Sequence, residues 1–217
     1  MDRQIVILTK APVPGVAKTR LIPRLGPDRA AAVHAWMAGL TVERALTVGC
    51  AVRVAIAGPL DSAFAEGLRE RGAVIEAQAD GDLGARMAAT LAPGRDTALL
   101  GTDCPLFDID ALQASFAAPE PVSIGPSDDG GYWSLRVRAT GPDQLHAMQR
   151  VLFASMPWST PVVLGETQRR CAQAGLDLHH LPVDFDVDEP ADLDRLVQDP
   201  RLDPPRRVQL LRLLDVP

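Results

Sequence analysis

The chain carries 22 basic residues, and only two of them, Lys10 and Lys18, are lysines. Both lie in Lys10-Ala11-Pro12-Val13-Pro14-Gly15-Val16-Ala17-Lys18-Thr19-Arg20, a stretch stiffened by two prolines and opened by one glycine. Backbone N–H groups of such a loop can wrap a polyphosphate while Lys18 and Arg20 neutralise it, the first as a compact point charge and the second as a planar fork. A solvated surface loop has the same composition. Neither G-x-x-x-x-G-K-[ST] nor G-x-G-x-x-G occurs, so this is neither a Walker A loop nor a dinucleotide fingerprint.

Two acidic segments could supply a cation site. In Gly101-Thr102-Asp103-Cys104-Pro105, the carboxylate follows an apolar run and would project into a ligand crevice. Mg²⁺ is commonly held by one or two carboxylates together with substrate phosphates, so one aspartate need not be a whole site; capping of the next turn is the plainer alternative. In Asp184-Phe185-Asp186-Val187-Asp188-Glu189-Pro190, an extended backbone puts Asp184, Asp186 and Asp188 on one face and Phe185 and Val187 toward the core. Three like charges in a row repel, and a divalent cation would relieve that. Pro190 also marks a helix start, so Asp188 is expected mainly to cap and Asp186 mainly to bind metal. Two further loops could face a ligand. Asp128-Asp129-Gly130-Gly131-Tyr132-Trp133 offers close backbone approach and rings for stacking, or simply a hairpin turn. Gly81-Asp82-Leu83-Gly84-Ala85-Arg86 enters a helix whose N-terminus suits an anion or a ribose.

The elements that must position these loops follow from hydrophobic periodicity. Gln4–Leu8 reads as a buried strand, and Pro27–Val48 as a helix with Val33, Met37 and Leu40 at helical spacing. Val52–Ala57 and Ala73–Ala77 read as strands around a helix capped by Asp61 and reaching Arg71. Arg86–Leu91 is helical and Thr97–Leu100 is a fourth strand. This alternation implies a parallel sheet covered on both faces, with ligands beyond the carboxyl ends of the strands. The loops after Leu8, Ala77 and Leu100 should therefore share one edge. Farther on, Val122–Gly125 and Tyr132–Val137 read as strands and residues 138–160 as irregular. Thr160–Ala174 then reads as a helix, Leu178–Val183 as a strand, and a last motif helix starts at Pro190.

With 217 residues, 47% hydrophobic and 23% charged, and no internal repeat or linker, the expectation is a single α/β domain over 1–217 with its motifs in 4–198. No apolar run approaches a membrane span, and Ile5–Leu8 is too short for a secretory core, so a soluble, cytoplasmic protein is expected. Cys50, Cys104 and Cys171 are too scattered for a disulfide framework or a zinc knuckle. Dispersed arginines and few aromatics argue against nucleic acid as a partner, and no G-x-S-x-G elbow supports a hydrolase. His34 and His146 stand alone on helices and read as ordinary packed or surface residues. His179 and His180, adjacent on a strand, face opposite ways.

These motifs, in this order, resemble the GT-A-like nucleotide-diphospho-sugar transferase superfamily. Within it they are most similar to a bacterial family of small glycosyltransferase-like proteins of unknown function (DUF2064-type). Phospholactate and molybdenum-cofactor guanylyltransferases look like more distant relatives. The resemblance rests on the Lys10–Leu21, Gly81–Met87 and Gly101–Pro105 motifs, on Asp129–Tyr132, on Trp158-Ser159-Thr160, and on Asp186–Leu193. It implies a three-layer α/β/α sandwich with a mostly parallel, Rossmann-like sheet. It also implies that Lys10, Pro14, Gly15, Lys18, Arg20, Asp82 and Arg86 meet the nucleotide, and that Asp103 and Asp186 hold Mg²⁺ or Mn²⁺. Asp129, Gly130, Gly131 and Tyr132 would line the acceptor or sugar pocket, with Lys18, Asp103 and Asp129 as catalytic candidates. The reading it favours is transfer from a nucleoside-diphosphate sugar to a small-molecule acceptor. The alternatives are nucleotidyl transfer from an NTP to a phosphorylated acceptor, and a non-catalytic nucleotide-binding module.

Overall fold

A computed structural model describes residues 1–214, so the last three residues of the expected 1–217 span lie outside the described residues. Seven strands form one sheet: β1 (Asp2–Lys10), β2 (Ala51–Ala57), β3 (Val74–Ala77), β4 (Arg95–Leu100), β5 (Val122–Pro126), β6 (Tyr132–Arg138) and β7 (Leu178–His180). Their order is β3-β2-β1-β4-β6-β5-β7. β6 runs antiparallel to β4 and β5, while the β1/β2, β1/β4, β2/β3 and β5/β7 pairs are parallel. β5 therefore runs the same way as β4, and the carboxyl ends of β1, β4, β5 and β7 open on one edge.

The helices are α1 (Ile22–Leu25), α2 (Pro27–Leu46), α3 (Ala63–Glu70), α4 (Leu83–Thr90), α5 (Ile109–Ser115), α6 (Pro142–Phe153), α7 (Val163–Gln173), α8 (Pro190–Gln198) and α9 (Pro204–Leu214). Alternation along the strands sends side chains to opposite faces. Ile5, Ile7, Val54 and Ile56 pack with Val42, Leu68 and Leu112 on one side of the sheet. Val6, Leu99, Ile124 and Leu135 pack with Met87, Met148, Leu152 and Cys171 on the other. The expected three-layer α/β/α sandwich is thus present. A third cluster joins Leu21, Leu25, Val33 and Met37 to Phe185, Val187, Leu193, Leu196 and Leu210, so Phe185 and Val187 face the core as the two-residue alternation requires.

Four local expectations need correction. Residues 138–160 are not irregular: α6 fills most of them, with Gly141 leading into Pro142 and with Leu145, Met148 and Leu152 on its buried face. The cap of α3 is Ser62, whose hydroxyl accepts from the Ala65 N–H; Asp61 lies one residue too early. β7 ends at His180, three residues short of the expected Val183. The cap of α8 is Glu189, in a reciprocal capping box with Asp192, and this leaves Asp188 for another use.

One polar feature ties the antiparallel strand into the sheet. Arg136 on β6 is fully buried and grips Asp96 on β4 with two bonds, Nε to Oδ1 at 2.6 Å and Nη2 to Oδ2 at 2.7 Å. The Glu120 carbonyl and the Ser123 hydroxyl accept from its Nη1.

Candidate active site

The strand order reverses at β1 and β4: the chain leaves β1 outward through β2 and β3, then returns to β4 on the other side. Open α/β sheets bind ligands at such switch points. A cavity of about 790 Å³ lies there. Of the sequence-derived candidates, Lys10, Lys18, Arg20, Arg86, Asp103, Asp129, Gly131, Tyr132 and Asp186 line it. Pro14 and Gly15 form an exposed turn that is not part of the lining, and Asp82 and Gly130 stand just outside it.

Lys18 adopts a left-handed backbone (φ 49°, ψ 49°) at the start of a short 3₁₀ turn over Thr19–Leu21, a conformation uncommon for a residue with a Cβ. Its side chain is 5% exposed. The ammonium donates to Asp103 Oδ1 at 2.5 Å, to Asp188 Oδ1 at 2.7 Å and to the Val187 carbonyl at 2.7 Å. Burial alone would lower its pKa; the Asp103 and Asp188 charges outweigh that and hold it above the ordinary lysine value. For Asp103, loss of water favours the neutral acid, but the Lys18 ammonium overrides it and keeps the carboxyl below its usual range.

The acidic segment reaches Asp103 through the main chain, because the Val187 N–H donates to the Asp103 carbonyl at 2.7 Å. That bond sets Asp186 beside Asp103 in the cavity. Burial raises the Asp186 carboxyl, the charges of Asp103 and Asp129 add to it, and its pKa is pushed up to about 7. Asp188, expected to cap, instead pairs with Lys18 and lies 3.7 Å from Arg20. The segment is also held from behind: Arg201 donates to both Asp184 oxygens, at 2.5 and 2.9 Å, and to the Leu106 carbonyl at 3.1 Å.

Residues 127–131 make the β5–β6 hairpin turn, and Asp129 Oδ1 accepts from the Ser127 hydroxyl (2.5 Å) and the Gly131 N–H (2.8 Å). Gly130 (φ +90°) lies so close to the Pro161 carbonyl that a Cβ would strike it. The turn is thereby locked to the Trp158–Pro161 segment, which also lines the cavity. Tyr132, Trp133 and Trp158 all line the cavity, but Trp133 is not a free stacking platform. It is 3% exposed, stacked on Phe107 with centroids 5.8 Å apart, and its indole N–H donates to the Pro182 carbonyl. At α4, Asp82 caps the helix by accepting from the Ala85 N–H, while Arg86 reaches the Gly81 carbonyl and Gln78.

The structure adds lining residues that sequence reasoning passed over. His34, read as an ordinary helix residue, is buried beneath the loop: its Nε2 lies 3.0 Å from the Lys10 carbonyl and 3.2 Å from the Thr9 hydroxyl. Gln78 donates to the Thr9 and Ala55 carbonyls at 2.7 and 3.0 Å and fixes the end of β1. Gln78 could have been suspected, since it directly follows β3 as the Lys10 loop follows β1. His34 had no such signal. Cys104, next to Asp103, is buried and its thiol is pushed well up, so it is no nucleophile at neutral pH.

The donor set fits a hard divalent cation. Two carboxylates from distant segments share one cavity, their charges are close enough to raise Asp186, and a protein ammonium already stands on Asp103. No group of three or more His, Cys, Asp or Glu side chains gathers around one point among the described residues. Any ion here would complete its shell with substrate oxygens or water, the usual manner of Mg²⁺. No helix among the described residues is long and apolar enough to cross a membrane.

Comparison with known proteins agrees with this architecture. A crystal structure from Desulfovibrio desulfuricans G20, provisionally named a nucleotide-diphospho-sugar transferase, is 25% identical, with a TM-score of 0.83 over 99% of this chain and 97% of that one. Rv0371C of Mycobacterium tuberculosis H37Rv, solved with manganese, is 16% identical with a TM-score of 0.53 over 90% of this chain and 98% of that one. The 4-diphosphocytidyl-2C-methyl-D-erythritol synthase of Anaerococcus prevotii DSM 20548 is 8% identical with a TM-score of 0.56 over 88% and 94%. These last two bear on the fold alone. No curated protein matches the sequence. Residues 41–160, which carry Asp82, Arg86, Asp103 and Asp129–Tyr132, match the model of a family described as uncharacterized proteins conserved in bacteria, and the chain belongs to that family, DUF2064.

Proposed function

We propose that the protein is a metal-dependent transferase that uses a nucleoside-diphosphate sugar as donor. The observation that carries this reading is the pairing of Asp103 and Asp186 in one cavity at the switch point, ringed by Lys10, Lys18, Arg20 and Arg86. Asp103 and Asp186 would hold Mg²⁺ or Mn²⁺, which when bound supplies Lewis-acid neutralisation of the diphosphate as it leaves. Lys10 and Arg20 bind the phosphates from the mouth, and Arg86 the nucleotide at the start of α4. Asp129, with both its turn bonds on Oδ1, offers Oδ2 to take the acceptor hydroxyl proton as the hydroxyl oxygen attacks the anomeric carbon. The cavity volume suits a nucleotide and a second substrate together. The likeness to the Desulfovibrio protein, with its provisional transferase name, supports the same class.

A second reading, nucleotidyl transfer from an NTP with release of pyrophosphate, is favoured by one feature. Directly after β4, Asp103 stands alone between the buried Thr102 and Cys104, rather than in a D-x-D pair. The fold likeness to a diphosphocytidyl synthase is consistent with it.

A thermal-shift panel of NTPs, NDPs and NDP-sugars, with and without Mg²⁺ or Mn²⁺, tests both. A ligand at 100 times its Kd adds about 2.7 kcal/mol. At about 2–4 °C per kcal/mol for a domain of this size, a true donor should raise Tm by roughly 5–10 °C. NDP release from the sugar donor is the expected product. Pyrophosphate release from an NTP would replace the first reading with the second, and binding without turnover of any donor would leave a nucleotide-binding module. Asp103→Asn should remove the metal-dependent part of the shift.

A further inference from the structure

An ammonium has three N–H donors, and Lys18 spends all three inside the protein, on Asp103, Asp188 and the Val187 carbonyl. Arg20, by contrast, is 66% exposed and makes only loose approaches of 3.7 and 3.9 Å to Asp188 and Glu189. Lys10 is exposed at the mouth of the same cavity. Arriving phosphates therefore meet Lys10 and Arg20 with donors to offer, and Lys18 with none. Four carboxylates, Asp103, Asp129, Asp186 and Asp188, line this cavity, and Lys18 is the buried cation bonded to two of them, Asp103 and Asp188.

We propose that Lys18 is a resident counter-ion holding the place of the divalent metal on Asp103, and that metal binding displaces it and frees its ammonium for the incoming phosphates. This rests on the reading of Asp103 and Asp186 as metal ligands. A dication and an ammonium repel strongly at contact distance, so an ion seated on the Asp103 carboxylate drives the Lys18 ammonium away from Oδ1. The left-handed backbone at Lys18 anchors its Cα, while its flexible four-carbon stem lets the ammonium move without the loop. Metal and nucleotide then bind with mutual reinforcement, because the first ligand releases a group that the second needs, and such coupling is reciprocal.

The chain's two lysines make the test direct. Labelling with ¹⁵N-lysine gives two Nζ signals, and in metal-free protein that of Lys18 should be protected from solvent exchange. Titration with Mg²⁺ alone should abolish that protection. A Lys18 signal still protected at saturating Mg²⁺, with saturation judged from the rise in Tm, overturns the proposal. In parallel, Mn²⁺ affinity without nucleotide is read by electron paramagnetic resonance in Lys18→Met, Lys18→Arg and Lys10→Met. Lys18→Met should bind Mn²⁺ at least tenfold more tightly than the parent, Lys18→Arg about as the parent, and Lys10→Met with little change. Equal gains in Lys18→Met and Lys10→Met would mean a diffuse charge effect and overturn displacement, as would no gain at Lys18. If no variant and not the parent binds Mn²⁺, the metal reading of Asp103 and Asp186 falls, and this proposal with it. Should Lys18→Met fail to fold, the NMR titration of the parent decides.

Discussion

Asp186 and Asp103 are both aspartates in one cavity, yet their surroundings push them in opposite directions. Asp186 is raised to about 7 by burial and by the charges of Asp103 and Asp129, whereas Asp103 is lowered by Lys18. The consequences for stability have opposite signs. The folded chain holds the Asp186 proton more tightly than the unfolded chain does, so this group's contribution is whole below its unfolded pKa of about 4 and is lost as pH rises through about 7. The Asp103 contribution is present above about pH 4 and is lost as pH falls through its depressed folded value. Asp186→Asn copies the neutral form, so it should raise Tm at pH 8, with the gain shrinking toward zero as pH falls from about 7 to about 4 in a pH series of melts. The same substitution should weaken Mn²⁺ binding. In the parent, Mn²⁺ affinity should fall by up to about tenfold per pH unit below 7, because the ion competes with the Asp186 proton.

At the scale of elements, the sheet depends on an antiparallel strand that carries a buried charge. Arg136 on β6 and Asp96 on β4 satisfy one another, and the backbone and Ser123 accept from the Arg136 Nη1. Removing one partner strands the other in the interior, a loss of about 3–5 kcal/mol. Asp96→Ala should therefore lower Tm by on the order of 10 °C. Asp96→Ala combined with Arg136→Met should recover much of the loss, measured by denaturant unfolding of the three proteins. The strand itself was legible from the apolar spacing of Trp133, Leu135 and Val137. Its direction was not, because period-two alternation is the same for parallel and antiparallel neighbours. Element ends were the least legible part. Asp61 against Ser62, and Asp188 against Glu189, are one-residue choices decided by which side chain reaches the N3 amide.

At the scale of the whole molecule, the C-terminal segment supports the site rather than merely following it. Arg201 lies between α8 and α9 and clamps Asp184, two residues before Asp186, while also holding Asp199 and the Leu106 carbonyl. Residues that orient metal ligands from behind typically carry 10–100-fold in affinity. Arg201→Ala should lower Mn²⁺ affinity by about tenfold while the far-ultraviolet circular dichroism stays unchanged. Equal Mn²⁺ affinity in the two proteins would limit Arg201 to a packing role. The role of residues 199–214 had no motif in the sequence, because it consists of contacts to a segment that other elements deliver.

The amino-acid sequence by itself determined the layered α/β architecture, since β-branched runs and amphipathic segments report locally which face of each element is buried. It also singled out loops that the fold gathers together: nine of the thirteen candidate residues line one cavity. Only the tertiary structure decided what each charged group does there. Lys18 and Asp188 are 170 residues apart in the chain, and nothing local makes Asp188 a partner of Lys18 rather than a helix cap. Trp133 likewise is packed into the core, and it borders the pocket without being free to stack on a ligand. The reason is physical. Local periodicity fixes the burial of a side chain, whereas its charge state and partners depend on which loops the closed sheet brings to the same edge.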